Sequence, residues 1–194
     1  MKYIKKGKER TKEDRRKLRE TVAAIIDDVV EQGDKALHFY SKKFDGCERE
    51  SFRVTPEEIR QAYEAVTPQE LADMKAALAN LAAFAKAQRA TIHDLPDFEP
   101  TPGIHLGHRV IPVDSCLCYV PGGRFPLYSS AMMLITPAKV AGVERIAAAS
   151  PVSHGTGHIN AKTLVAMDFG WGRRNLRSGR RTGNCSVCLW HTFY

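Results

Sequence analysis

An apolar strand, a glycine-rich turn and an apolar helix follow one another within residues 116–143, and this order limits the fold more than any other feature of the chain. Residues 116–120 read Cys-Leu-Cys-Tyr-Val, the residues Pro121-Gly122-Gly123 end this run, and residues 131–143 are apolar enough for a buried helix. A second strand-like run covers residues 145–149. A strand, a helix and a strand in this order predict a βαβ unit and therefore a parallel sheet.

The first hundred residues predict helices. Their start signals are a threonine followed three residues later by an acidic residue, which is the pattern of a capping box. This pattern occurs at Thr11, Thr55 and Thr67, and proline follows directly after the last two. Gly33 predicts a helix end, and residues 52–54 predict a short strand.

The proline-rich residues 94–103 cannot continue a helix, and we interpret them as a boundary. After it we expect a strand pair or bent strand over residues 104–113, and a final helix over residues 160–167. The predicted fold class is α/β. It has an N-terminal helical region at residues 1–100 and a partial nucleotide-binding α/β domain at residues 101–169, an incomplete Rossmann-like parallel sheet with flanking helices.

The glycine pair Gly122-Gly123 suits a close approach of the backbone to a ligand, because neither residue carries a Cβ. A strand-to-helix phosphate site needs such a turn. The pair is not the common dinucleotide fingerprint, which requires three glycines at fixed offsets. From the spacing alone, an ordinary tight turn remains the alternative.

Composition excludes several classes of protein. The polar N-terminus has no apolar segment typical of a signal peptide, and no apolar run approaches the length that spans a membrane, so we expect a cytoplasmic protein. The net charge is +7, but five arginines lie after Phe169 and the N-terminal basic residues alternate with acidic ones. That distribution is typical of a solvated surface, and we expect no nucleic-acid partner.

No histidine or cysteine cluster gives a strong metal signal. Glycines separate His154 from His158, His105 and His108 are expected on opposite sides of a strand, and one Cys-x-x-Cys pair is a weak zinc pattern. Apolar neighbours make Cys116 and Cys118 core candidates. The weak pair is Cys185 and Cys188, with His191 nearby.

Residues 119–123, Tyr-Val-Pro-Gly-Gly, and residues 137–143, Pro-Ala-Lys-Val-Ala-Gly-Val, resemble the signature segment of the histidinol dehydrogenase family. The resemblance covers roughly residues 15–168. It implies an NAD-dependent, zinc-dependent alcohol dehydrogenase that oxidises L-histidinol to L-histidine through the aldehyde, with a homodimer as the complete enzyme. It also implies that Tyr119 lies in the cofactor site, with Gly122 and Gly123 beside it, although Tyr128 is an alternative aromatic.

The family's zinc ligands and its Glu-His acid/base pair come later in the family's chain and have no counterpart here. We therefore assign no catalytic and no metal-binding residue to this sequence, and expect the chain to be inactive alone. Residues 107–113 and 122–126 look closer to related dehydrogenases that oxidise a sulfonated propanediol. A catalytically inert remnant that dimerises or binds a nucleotide weakly is the alternative of another class.

The composition changes abruptly after Phe169. Residues 170–194 contain both tryptophans and five arginines but no acidic residue. Tryptophan has the single codon TGG, and a frame read one base later turns that codon into one for glycine. With suitable synonymous codons, the shifted frame can read AGADEIYALAGAQAIAAFAYGT, which resembles the family's continuation after Phe169. We interpret residues 170–194 as a frameshifted, non-native tail.

Sequencing of the gene tests this interpretation. We expect the DNA after the Met167 codon to encode, in the adjacent frame, a segment close to the shifted reading given above. An adjacent frame without that segment would contradict the frameshift, and the zinc-knuckle and nucleic-acid interpretations of the tail would regain support.

Overall fold

The computed structural model describes residues 11–122, 125–153, 156–171 and 187–189. Strands and helices alternate from residue 115 onward, as the sequence predicts. In chain order the elements are α1 (Lys12–Gln32), α2 (Asp34–Asp45), α3 (Pro56–Glu64), α4 (Pro68–Ala90), β1 (Leu95–Thr101), β2 (Ile104–His108), β3 (Ser115–Tyr119), α5 (Tyr128–Val140), β4 (Arg145–Ser150), α6 (Ala161–Trp171) and β5 (Val187–Leu189).

The three capping boxes predicted from the sequence are confirmed. In each, the threonine Oγ1 accepts a hydrogen bond from the backbone N–H three residues later, and that residue's carboxylate accepts one from the threonine N–H. The pairs are Thr11 with Asp14, Thr55 with Glu58, and Thr67 with Glu70. Each box satisfies two N–H groups that the first turn of a helix leaves without a partner, so these starts are fixed locally.

The segment that contains the prolines forms a strand, which the sequence analysis did not predict. Strand β1 pairs antiparallel with β2, with irregular register, and every residue of both strands is exposed. A two-stranded ladder leaves each strand with an open edge, where Pro96 and Pro100 remove no required hydrogen bond. The strand predicted at residues 52–54 is reduced to a single bridge at Arg53.

Strands β3 and β4 pair in parallel with α5 as their connection, which confirms the predicted βαβ unit and the α/β fold class. The register runs from Ser115 opposite Arg145 to Tyr119 opposite Ala149. Strand β5 pairs in parallel with β4 on the other side. It falls within the segment interpreted as a non-native tail, and the remaining residues of that segment after Trp171 lie outside the described residues.

The helical region and the α/β unit share one hydrophobic core. Helix α5 packs against α6 and α4, and α3 packs against α6. Ile135 and Met167 are fully buried, and the same cluster includes Val66 and Met74 from the helical region. Two polar contacts join the same surfaces: Tyr63 Oη donates to Asp168 at 2.5 Å, and Lys162 Nζ lies 2.6 Å from Glu70 Oε1.

Helix α1 packs against α2 and buries Ile25, whereas Ile26 and Val30 of the same helix are exposed. Within the described residues, no helix is both long and apolar enough to cross a membrane.

Replacement of Ile135 tests the shared core. Ile135→Ala should lower the free energy of unfolding by about 2–5 kcal/mol, because it removes fully buried methyl groups and leaves a cavity. The neighbouring Leu134 is 40% exposed, and Leu134→Ala should cost well under half as much. Urea denaturation of the two variants and the parent chain measures the difference, and equal losses would contradict the described packing.

Candidate functional site at the carboxyl edge of the parallel sheet

The carboxyl ends of β3 and β4 lie side by side. Tyr119 is opposite Ala149, and the pairing continues one residue further because Val120 N–H donates to the Ala149 carbonyl at 2.7 Å. In parallel α/β sheets, ligands bind in the crevice outside the carboxyl ends of adjacent strands. A ligand site is therefore expected at the residues that follow Val120 and Ala149.

Two of the predicted cofactor residues meet at this edge. Tyr119 is the last residue of β3 and is half-buried. Gly122 lies beyond it, in the segment Pro121-Gly122, which is called the turn after β3. Gly123, the third predicted residue, lies outside the described residues. A Cβ placed on Gly122 would lie 3.3 Å from Ser150 Oγ, which is tighter than an ordinary contact.

Ser150 is the residue at this edge that the sequence analysis missed. It ends β4, is 1% exposed, and its hydroxyl donates to the Pro151 carbonyl at 3.3 Å. Its position at the end of the second strand of the βαβ unit was the available signal. The lack of a Cβ at Gly122 lets the turn after β3 lie directly against Ser150.

Helix α5 begins just beyond this turn without a polar cap. Its N-cap residue is Leu127, whose side chain cannot accept a hydrogen bond, in contrast to the threonine caps of α1, α3 and α4. Helix N-termini present N–H groups and a partial positive charge, a combination that suits anionic groups. The first turn of α5 is thus chemically suited to a phosphate.

Cys118, one of the two cysteines of β3, does not have the properties of a nucleophile in this arrangement. Cys118 is buried and Cys116 half-buried, in agreement with their interpretation as core residues. Burial, together with the neighbouring Cys116, raises the pKa of the Cys118 thiol to about 11. The thiol is therefore protonated near neutral pH and does not supply the reactive thiolate.

Within the described part of the chain, no group of three or more histidine, cysteine or acidic side chains could hold a metal ion. His105 Nδ1 lies 2.7 Å from Asp97 Oδ1, whereas His108 Nε2 lies 3.1 Å from the His93 carbonyl, so the two histidines have different partners. The other weak metal candidates, His154, Cys185 and His191, lie outside the described residues, as does the Cys188 side chain.

A second polar site lies where the helical region meets the loop between β4 and α6. Here Arg49 forms a two-point ion pair with Glu58, and His158 Nδ1 lies 3.3 Å both from Arg49 Nη1 and from Glu58 Oε1. These three residues are called the Arg49–Glu58–His158 cluster. They border a cavity of about 180 Å³ whose remaining lining is mostly apolar, namely Val54, Gln61, Ala62, Ile159, Ala161 and Leu164.

The ion pair of the cluster keeps Glu58 charged. The side chains of Arg49 and Glu58 are 18% and 19% exposed. The hydrogen bond from Arg49, with smaller contributions from Thr55, lowers the pKa of Glu58 to about 2 against the opposing effect of burial. The carboxylate is therefore ionised near neutral pH.

Local sequence signals could identify part of this cluster. Glu58 was predicted as the capping residue of α3, a role it fills, but its pairing with Arg49 and His158 was not predicted. His158 is 100 residues away in sequence. A contact at that separation leaves no periodic pattern.

Comparison with known proteins agrees with this fold. The family model described as histidinol dehydrogenase matches residues 8–171. A histidinol dehydrogenase homolog of Shouchella clausii is 41% identical over 169 residues, covering 86% of this chain and 39% of that protein. The sulfopropanediol 3-dehydrogenase of Ruegeria pomeroyi is 42% identical over 155 residues, covering 80% of this chain and 35% of that protein.

A solved structure gives the same result. The crystal structure of histidinol dehydrogenase from Elizabethkingia anophelis superposes with a TM-score of 0.70 at 25% identity, covering 96% of this chain and 38% of that one. The chain thus spans about two fifths or less of the length of these relatives. Because the family match covers most of its length, this chain belongs to the histidinol dehydrogenase family.

Proposed function

We propose that this chain carries an NAD-binding portion of a zinc-dependent alcohol dehydrogenase that oxidises L-histidinol to L-histidine through the aldehyde. The observation that carries the proposal is the meeting of Tyr119, Gly122 and Ser150 at the carboxyl edge of β3 and β4. When bound, NAD⁺ would accept the hydride that the alcohol or the aldehyde loses.

The residues at this edge suit a dinucleotide. Gly122 exposes backbone without a Cβ, the first turn of α5 offers N–H groups to a phosphate, and the half-buried Tyr119 at the end of β3 provides an aromatic ring. Each group binds or orients the cofactor, and none of them transfers a proton.

The described residues do not fit a zinc ion, because they contain no suitable group of ligands. In the complete enzyme, the zinc ligands and the acid/base residues of the proposed reaction would therefore come from segments other than the described residues. A homodimer is proposed for the complete enzyme, and the exposed apolar side chains of Phe98, Ile104 and Leu106 on the β1–β2 hairpin are surface that such an assembly could cover.

A sulfonated propanediol is the second candidate substrate. It is favoured by the 42% identity to the sulfopropanediol 3-dehydrogenase of Ruegeria pomeroyi, which is close to the 41% identity to the Shouchella clausii homolog.

Replacement of Tyr119 tests the cofactor assignment. A full-length enzyme can be assembled by joining residues 1–169 of this sequence to the remainder of the Shouchella clausii relative. In it, Tyr119→Ala should raise the NAD⁺ dissociation constant about tenfold, because an aromatic contact of about 1–1.5 kcal/mol is lost. The matched control is Tyr128→Ala, since Tyr128 is the alternative aromatic. Titration calorimetry that finds a larger effect for Tyr128, or none for Tyr119, would contradict the assignment.

The contact of Gly122 with Ser150 gives a second test. Gly122→Ala should destabilise the chain by about 1–3 kcal/mol, because its Cβ would press against a buried hydroxyl. Ser150→Ala removes that hydroxyl, so the cost of Gly122→Ala should be smaller in this background. The four unfolding free energies form a double-mutant cycle, and strictly additive effects would show that the two residues are not in contact.

A third test concerns activity. The chain of 194 residues should form no NADH from histidinol or from a sulfonated propanediol, with or without added zinc. The described residues contain no group of metal ligands, and the family resemblance places the acid/base pair later in the family's chain. The full-length enzyme described above is the positive control. NADH formation by the 194-residue chain itself would overturn this expectation.

A further inference from the structure

The loop between β4 and α6 borders the proposed cofactor site. Its described residues are 151–153 and 156–160, and it leaves β4 directly after Ser150. Because Ser150 lies against the turn after β3, this β4–α6 loop begins at the edge of the crevice.

Hydrogen bonds within the β4–α6 loop fix its local shape. Ser153 N–H donates to the His158 carbonyl at 2.8 Å, Thr156 N–H donates to the Ser153 carbonyl at 3.0 Å, and His158 N–H donates to Thr156 Oγ1 at 3.2 Å. These bonds close the loop on itself. They do not determine where the loop lies relative to the rest of the molecule.

The loop is placed by its buried side chains Val152 and Ile159, which join the core, and by polar contacts from residues 47–58 of the helical region. His158 lies 3.3 Å from Arg49 Nη1 and 3.3 Å from Glu58 Oε1, and the Cys47 thiol points to the Gly157 carbonyl at 4.0 Å. The Arg49–Glu58 pair is largely buried, whereas the His158 side chain is 67% exposed. A rigid charged pair thus contacts the outer end of a loop.

The polar groups of the cluster are already engaged with one another, which argues against a ligand in the adjoining cavity. Arg49 uses Nε on the Ser51 carbonyl and both terminal nitrogens on Glu58. Glu58 Oε2 also accepts from the Thr55 N–H and hydroxyl. Groups so occupied fix a geometry and leave little capacity to recognise a small molecule.

We propose that Arg49 and Glu58 are positioning residues: acting through His158, they hold the β4–α6 loop against the helical region and thereby set one wall of the carboxyl-edge crevice. The link to the cofactor rests on the proposed function. The link to the loop does not, and it can be measured without any cofactor.

Amide hydrogen exchange of the 194-residue chain, followed by NMR, tests the link to the loop. Glu58→Gln removes the charge but keeps an N3 side chain that can cap α3. We expect Glu58→Gln and Arg49→Gln each to speed exchange of the Ser153, Thr156 and His158 amides about tenfold, with amides in α5 unchanged. Arg49→Lys keeps the charge and should recover part of the protection.

The matched control is Arg60→Gln. Arg60 lies on α3, as Glu58 does, and its side chain is exposed. It pairs with Glu57 and Glu64 and not with the loop. It should leave exchange in the loop unchanged. Equal effects of Arg60→Gln and Glu58→Gln would overturn the proposal, because they would reflect general destabilisation of α3.

The route through His158 has its own test. His158→Gln alters an exposed side chain and should leave the fold intact. This variant can therefore test the proposal even if the Glu58→Gln variant does not fold. It should speed exchange of the loop amides by itself. Adding Glu58→Gln to it should then produce little further change. Unchanged exchange in His158→Gln, or additive effects of the two substitutions, would overturn the proposal. NAD⁺ binding by the full-length enzyme tests the cofactor link separately.

Discussion

The parallel pairing of β3 with β4 is the constraint on which the rest of the structure depends. Parallel neighbours need a crossover connection, and here α5 provides it and packs over the strands. Because both strands run in the same direction, their carboxyl ends meet at one edge, which brings Tyr119 and Ser150 to the same crevice. The buried face of α5 in turn requires cover, and helices α4 and α6 supply it.

Features encoded over a few residues could be predicted from the sequence. The threonine caps at α1, α3 and α4 were predicted because a capping box is complete within four residues. The βαβ unit was predicted because its two strands and its helix each have a distinct apolar pattern. For the candidate site, Tyr119 came from the family resemblance and Gly122 from its place after a strand.

Features that depend on distant pairing could not be predicted. Strand β1 exists because it pairs with β2, and its prolines conceal any strand pattern in the sequence. The contact between Gly122 and Ser150 depends on the register of β3 and β4, which no single segment specifies. The same reason applies to the Arg49–Glu58–His158 cluster, whose members come from three separate segments.

The single core that spans both regions has a consequence for dissecting the protein. The proline-rich segment near residue 100 marks a change of secondary structure, yet Val66 and Met74 before it belong to the same cluster as Ile135 and Met167 after it. A fragment that starts at that segment would leave the apolar surfaces of α5 and α6 open to water, an arrangement that favours aggregation. Exchanging segments between relatives at this point would pair helices from different proteins within one core. Exchanges that keep α3 and α4 together with α5 and α6 leave this core intact.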